Sequence, residues 1–449
     1  VTARDPGLAL LTDLYELTMA SAYFAGDLDT PATFDLVVRD LPANRNFLVA
    51  AGLQDALTYL ETLRFSPDDL AYLRTLALFD DPFLEHLESL RFRGDVWAIP
   101  EGEVFFAGEP FLRLTAPRIQ AQIVETYLLN CLDFETMIAT KAARIVLAAQ
   151  GRAVVDFSAR RDHGVDASLK AARASYIAGA ASTSNVLAGR NYGIPVAGTM
   201  AHAFVMSFDR EIDAFRAFVD RFPNGTTLLI DTYNVRAGAL NAITVAREAV
   251  EAGHSIGAVR LDSGNIAEDS RMVRALLDDA RFDAVRIFVS GDLDEYRVRD
   301  LLAAGAPVDA FGVGTRLGTS SDAPSLGGVY KLAEDPGGGR LKLSAGKVTY
   351  PGRKQVYRRE HQGTILGDTV ALDDETGIPG RPLLQEVMRG GKRTAEQEPL
   401  STMRDRCAAA LATLPAPLKT LGTATAPYPV DQSPGLRALY DATVARLGE

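Results

Sequence analysis

The sequence predicts an α/β protein, an irregular parallel (β/α) barrel joined to an α+β domain assembled from the two ends of the chain. Three observations predict it. Between residues 153 and 313 short apolar runs alternate with helical segments, and successive runs begin roughly 25 to 40 residues apart, the length of a strand, a crossover helix and two loops. Residues 93–116 carry short β-rich pieces cut by proline and glycine, and that texture returns after residue 328. The 449 residues exceed one core of ordinary size and suffice for two. The expected divisions are 1–130 for an N-terminal α+β domain, 131–328 for the barrel and 329–449 for a C-terminal part returning to the first. An open doubly wound sheet is the alternative arrangement of the same units.

Taken in order, residues 8–25 place apolar side chains at helical spacing after Gly7, and residues 52–90 read as helices broken at Ser66-Pro67 and Asp81-Pro82. Val96-Trp97-Ala98-Ile99, Val104-Phe105-Phe106 and Phe111-Leu112-Arg113-Leu114 read as a small sheet. Residues 117–150 form a long helical stretch, apolar on most faces between Thr126 and Met137 and so expected between layers. The barrel runs are Ala153 to Phe157, Ile194 to Ala197, Leu228 to Asp231, Ala258 to Asp262, Val285 to Val289 and Asp309 to Val313. Beyond them, Val329 to Leu332, Leu341 to Leu343 and Val348 to Tyr350 read as strands, and a proline-rich stretch from Ala424 to Pro434 precedes a last amphipathic helix.

Composition narrows the function. A net charge of −11 opposes a duplex nucleic acid or an anionic membrane as the main partner, because both need a broad basic face. Basic pockets for small anions stay open. Cys131 and Cys407 lie far apart without metal-ligand spacing, so neither a disulfide framework nor a zinc site is expected. The first residues lack a basic segment ahead of a long apolar core, and no run reaches the ~18 apolar residues of a membrane span. The expected location is the cytoplasm.

The ends of the barrel runs carry the chemistry. Gly198-Thr199-Met200-Ala201-His202 follows an apolar run and delivers one imidazole to an open edge, although a lone histidine there is commonly structural. Asp231 closes its own run and can accept from the distal nitrogen of His202, leaving the other nitrogen as nucleophile or general base. Arg260 and Asp262 share one face of a strand, either as a buried structural pair or as a contact for an anionic ring and a sugar hydroxyl. Arg160 and Arg161 follow Asp156-Phe157 and suit a carboxylate, a phosphate or a surface salt bridge. Ser290-Gly291-Asp292 and Gly312-Val313-Gly314-Thr315 are small-residue turns whose N–H groups can face a phosphate, or plain tight turns.

In matching order, these residues resemble the nicotinate phosphoribosyltransferases. The likeness runs from Thr12-Asp13-Leu14-Tyr15-Glu16-Leu17-Thr18-Met19 through the Asp156 to Arg161 segment, Ser184 to Gly189, Gly198 to His202, Asp231-Thr232-Tyr233 and Val259 to Gly264. It ends with Gly312 to Thr315 and Ser325-Leu326-Gly327-Gly328-Val329-Tyr330-Lys331-Leu332. Nothing specific is recognised beyond about residue 360.

The resemblance implies synthesis of nicotinate mononucleotide and diphosphate from nicotinate and phosphoribosyl diphosphate, coupled to ATP hydrolysis, in NAD salvage. It implies that His202 is phosphorylated by ATP, that Mg²⁺ serves the diphosphate leaving group and that Asp262 faces the developing positive charge on the sugar. Carried over by position, Arg160, Thr199 and Arg260 contact nicotinate, and Tyr15 lids the pyridine from a second subunit of a homodimer. Gly314 and Thr315 hold the donor phosphate, while Gly291 and Asp292 meet ribose or phosphate. Ser184 stands where nicotinamide-using relatives carry an aspartate, so a carboxylate ligand is tolerated. His163 is an extra loop imidazole outside this scheme. A quinolinate phosphoribosyltransferase is the enzyme alternative, which the histidine motif opposes. A non-catalytic pyridine-nucleotide sensor is the other.

Overall fold

The computed structural model describes residues 6–343 and 349–447. The described residues up to Thr140 and those from Ala323 onward form one compact unit, and Lys141–Asp322 form another. The division falls inside the 24-residue helix Glu125–Ala148.

Lys141–Asp322 is the barrel. Its strands are β1 (Ala153–Asp156), β2 (Ser182–Thr183), β3 (Asn224–Leu229), β4 (Ser255–Leu261), β5 (Arg286–Val289) and β6 (Ala310–Val313). Every pairing is parallel, in the order β2-β1-β6-β5-β4-β3, so the last strand returns to the first. Residues 194–200 lie between the two free edges. They make one bridge from Val196 to Thr183 of β2, and the Thr199 hydroxyl donates to the Thr227 carbonyl of β3 at 2.6 Å. The run expected as a strand from Ile194 is thus reduced to a bridge, because Pro195 has no N–H to give to a ladder and Gly193, with φ of +70°, ends the preceding helix. β2 was not legible, having only two residues.

The crossover helices bury apolar stripes on this sheet. Val235–Glu251 buries Ala239, Ala242, Ile243 and Ala246, the three- and four-residue spacing of one helix face, and Asn234 caps it by accepting from the Ala237 N–H at 2.9 Å. Gly238 lets it sit tight: a Cβ there would come within 2.1 Å of the Ile230 carbonyl oxygen.

The other unit is an antiparallel α+β structure. Pro31–Val38 pairs on one side with Gly328–Asp335 and on the other with Pro110–Pro117, so a strand from late in the chain completes a sheet begun early. The helices Leu53–Thr62, Pro67–Thr75 and Asp81–Ser89 start and stop where the proline pairs predicted, with Ser66 and Asp80 capping the last two. Lys354–His361 and Thr364–Leu372 form a hairpin that the apolar pattern concealed, because its buried face carries Arg358 and Asp368 paired at 2.6 Å. Leu341 to Leu343 and Thr349-Tyr350 are not strands, and Val348 lies outside the described residues. Cys131 and Cys407 are buried thiols. Among the described residues, no helix is long and apolar enough to cross a membrane.

Candidate active site at the barrel strand ends

In a parallel barrel the carboxyl ends of the strands point to one rim, where loops can differ without disturbing the sheet. A cavity of about 190 Å³ opens there. Phe157, Arg160 and Arg161 follow β1; Arg260 is next to last in β4 and Asp262 lies just past it; Ser290, Gly291 and Asp292 follow β5; Gly312, Gly314 and Thr315 belong to β6 and its turn. Ten of the residues singled out from sequence therefore meet around one space: Arg160, Arg161, Arg260, Asp262, Ser290, Gly291, Asp292, Gly312, Gly314 and Thr315.

Arg260 and Asp262 do lie on one face and pair at 2.7 Å. The same guanidinium donates to the Ser290 hydroxyl at 2.8 Å and to the Met200 carbonyl at 3.2 Å, and sits 5.7 Å from the Phe157 ring. Burial alone would push the Asp262 carboxyl up. Hydrogen bonds from Ser290 and Arg260, with the charge of Arg260 and of His202, outweigh it and hold the group below the usual carboxylate range. Asp262 is thus an anion at neutral pH. Gly291 has φ of +91° and brings its backbone so close to Asp262 that a Cβ would lie 1.8 Å from the carbonyl oxygen. Asp292 also adopts a left-handed φ of +51°.

His202 begins a short helix, His202–Met206, beside this cavity. Its Nε2 lies 3.8 Å from the Asp262 carboxylate. The expected contact with Asp231 is corrected: Nδ1 lies 3.1 Å from the Thr232 hydroxyl, and the Asp231 carboxylate accepts instead from the Asp262 N–H at 2.8 Å and the Ser263 hydroxyl at 2.7 Å. The reason is geometric. Asp231 follows the end of β3 and meets the neighbouring backbone after β4, whereas the next residue, past the strand end, faces the imidazole.

Thr199 lines an adjoining cavity of about 230 Å³ inside the barrel, together with Phe157 and Phe288. Those two rings pack at 5.7 Å, with Phe157 facing both spaces. Ser184 follows β2, held by its N–H to the Asp156 carbonyl at 2.8 Å, and does not line either cavity. Tyr15 belongs to the other unit, where it is 48% exposed on helix Leu14–Ala25 and its hydroxyl is raised by burial and by Glu125. Sequence reasoning missed Phe157 and Thr232 as site residues. Each sits beside a residue it did select, at the same strand end, and that adjacency was the available signal.

The N-terminal domain model of the nicotinate phosphoribosyltransferases matches residues 10–133, and the family's main model matches residues 153–332. Nicotinate phosphoribosyltransferase pncB2 of Mycobacterium tuberculosis is 49% identical over 94% of this chain and 91% of its own length. The nicotinate phosphoribosyltransferase of Bacillus subtilis is 42% identical over 83% and 78%. The crystal structure of human nicotinic acid phosphoribosyltransferase superposes with a TM-score of 0.86 at 30% identity, covering 96% of this chain and 99% of that one. A parallel barrel with glycine turns around a cavity at its carboxyl rim, matched in this way, defines a phosphoribosyltransferase. More narrowly, the chain belongs to the nicotinate phosphoribosyltransferase family.

Proposed function

We propose that the chain joins nicotinate to the phosphoribosyl group of phosphoribosyl diphosphate, releasing diphosphate, with ATP hydrolysed through a phosphohistidine at residue 202. The observation that carries this reading is the convergence of Arg160, Arg161 and Arg260 with the Gly291 and Gly314-Thr315 turns on one small cavity. Such a space offers guanidinium groups to a pyridine carboxylate and bare N–H groups to phosphates.

Arg160 and Arg260 bind nicotinate in this scheme, Thr199 lies deeper, and Phe157 supplies an apolar ring face for the pyridine. In this scheme the Nδ1–H donates to the Thr232 hydroxyl, 3.1 Å away, which leaves the lone pair of His202 on Nε2. It attacks the terminal phosphorus of ATP; the new N–P bond replaces the P–O bond, and ADP leaves. Hydrolysis of that bond later resets the site. The ionised Asp262 lies where positive charge builds on the sugar as diphosphate departs. Asp231, behind it, fixes the Asp262 backbone.

The donor set fits Mg²⁺. Asp262 and Asp292 offer hard oxygens to the cavity, and one Asp231 oxygen is buried with no hydrogen-bond partner. When bound, the ion would neutralise charge on the leaving diphosphate. Leu14 and Tyr15, both about half exposed, support a homodimer in which Tyr15 covers a neighbouring site, and the absence of an aspartate at Ser184 supports nicotinate over nicotinamide.

The test is product formation from phosphoribosyl diphosphate, ATP and Mg²⁺ with nicotinate, nicotinamide or quinolinate in turn. Nicotinate alone gives a mononucleotide in this account. Turnover of quinolinate with loss of CO₂, or binding of all three without turnover, contradicts it.

A further inference from the structure

Lys141 is buried to 1% exposure in the barrel unit, on a helix that supplies no residue to the cavity. Its ammonium holds two carboxylates: Glu295 at 2.5 Å and Asp322 at 2.7 Å. Glu295, itself fully buried, opens the helix three residues after Asp292, and Asp322 ends the segment that starts at the Gly314-Thr315 turn. Arg144, one helical turn along from Lys141, takes the other Glu295 oxygen at 2.9 Å. One lysine therefore ties together the two loops whose turns face the cavity.

A second observation, from the backbone, points the same way. Each loop contains one non-glycine residue in the left-handed region, Asp292 at φ of +51° and Ser320 at +41°. Such residues cost free energy and persist where surrounding contacts over-determine them. The Lys141 ion pairs are fixed anchors on both loops.

We propose that Lys141 is a positioning residue that sets the two phosphate-facing turns in register for the diphosphate of the donor. This rests on the reading of the cavity as a phosphoribosyl diphosphate site, but not on the identity of the accepting base. The tie acts through backbone placement of Gly291 and Gly314, without contact between Lys141 and the ligand.

Inorganic diphosphate is the probe, titrated calorimetrically into wild type, Lys141→Met, Asp322→Asn and the double variant Lys141→Met with Glu295→Gln, with Tm recorded for each. Lys141→Met loses thermal stability, because Glu295 is left with one cation instead of two. The double variant recovers most of that Tm. Its diphosphate affinity stays about tenfold weak, since the loops are no longer tied. Asp322→Asn, at a partly exposed position, folds and weakens diphosphate severalfold, with the KM for nicotinate unchanged. Diphosphate affinity that recovers together with Tm, or a wild type that binds no diphosphate, overturns the proposal. A wild type that makes no nicotinate mononucleotide, yet binds diphosphate and loses it in these variants, refutes the base assignment and leaves the tie standing.

Discussion

At the scale of single residues the account turns on which side chain steadies His202. Sequence alone placed Asp231 there; the hydroxyl of Thr232 takes the position and orients the ring through Nδ1 without adding charge beside it. Thr232→Val is expected to lower kcat about ten- to a hundredfold with the KM for nicotinate little changed, and Thr232→Ser to retain activity. Steady-state kinetics of the two variants decide this; equal rates for both contradict it. Glu16 shows a different residue-scale effect. Burial, against hydrogen bonds from Thr12 and Thr126, pushes its carboxyl up to about 7. Because the folded value lies above the ordinary 4.5, the contribution to stability is full below 4.5 and fades as pH rises through about 7. Glu16→Gln, which keeps the neutral shape, flattens the stability–pH curve between about pH 5 and pH 8, read by urea unfolding at each pH.

At the scale of elements, the legible parts were those whose physics is local. Ser66 and Asp80 announce helix starts because capping needs only a side-chain oxygen and three residues of chain. The strand ends at Asp156, Leu261, Val289 and Val313 were within one residue of their expected places, since an apolar run bounded by small residues is a local signal. The Lys354–His361 hairpin was hidden by charges paired across the sheet, and a buried Arg358 reads as a surface residue until Asp368 is known to face it. The Thr199 hydroxyl bond to β3 is likewise a long-range contact with no sequence pattern. Gly291 was legible as a turn, but its close approach to the Asp262 carbonyl was not. Gly291→Ala forces a side chain into a positive φ and into that carbonyl. It is expected to raise the KM for phosphoribosyl diphosphate by about tenfold or more while the KM for nicotinate holds. A variant with wild-type KM values contradicts the placement of this turn against the donor.

At the scale of the molecule, each unit combines an apolar interior with buried charge. The barrel buries aliphatic stripes of helices on parallel strands. The unit containing both chain ends also encloses a charged network in which Arg358 meets Asp368 at 2.6 Å and Glu103 at 3.1 Å, with Glu109 raised by burial and by Asp368. Arg358→Met leaves the buried Asp368 without its cation, while Glu103 keeps Arg381 at 3.0 Å, and should cost about 3–5 kcal/mol, measured as a lowered denaturant midpoint. A change below about 1 kcal/mol would show the network to be dispensable.

The molecule's chemistry is tested most directly at one imidazole. Incubation with ATP labelled in the terminal phosphate, followed by assay for acid-labile label, should show label on the wild type and none on His202→Ala, with nucleotide synthesis in the variant no longer responsive to ATP. Label that survives the alanine replacement, or ATP-stimulated synthesis of nicotinate mononucleotide without it, contradicts the account.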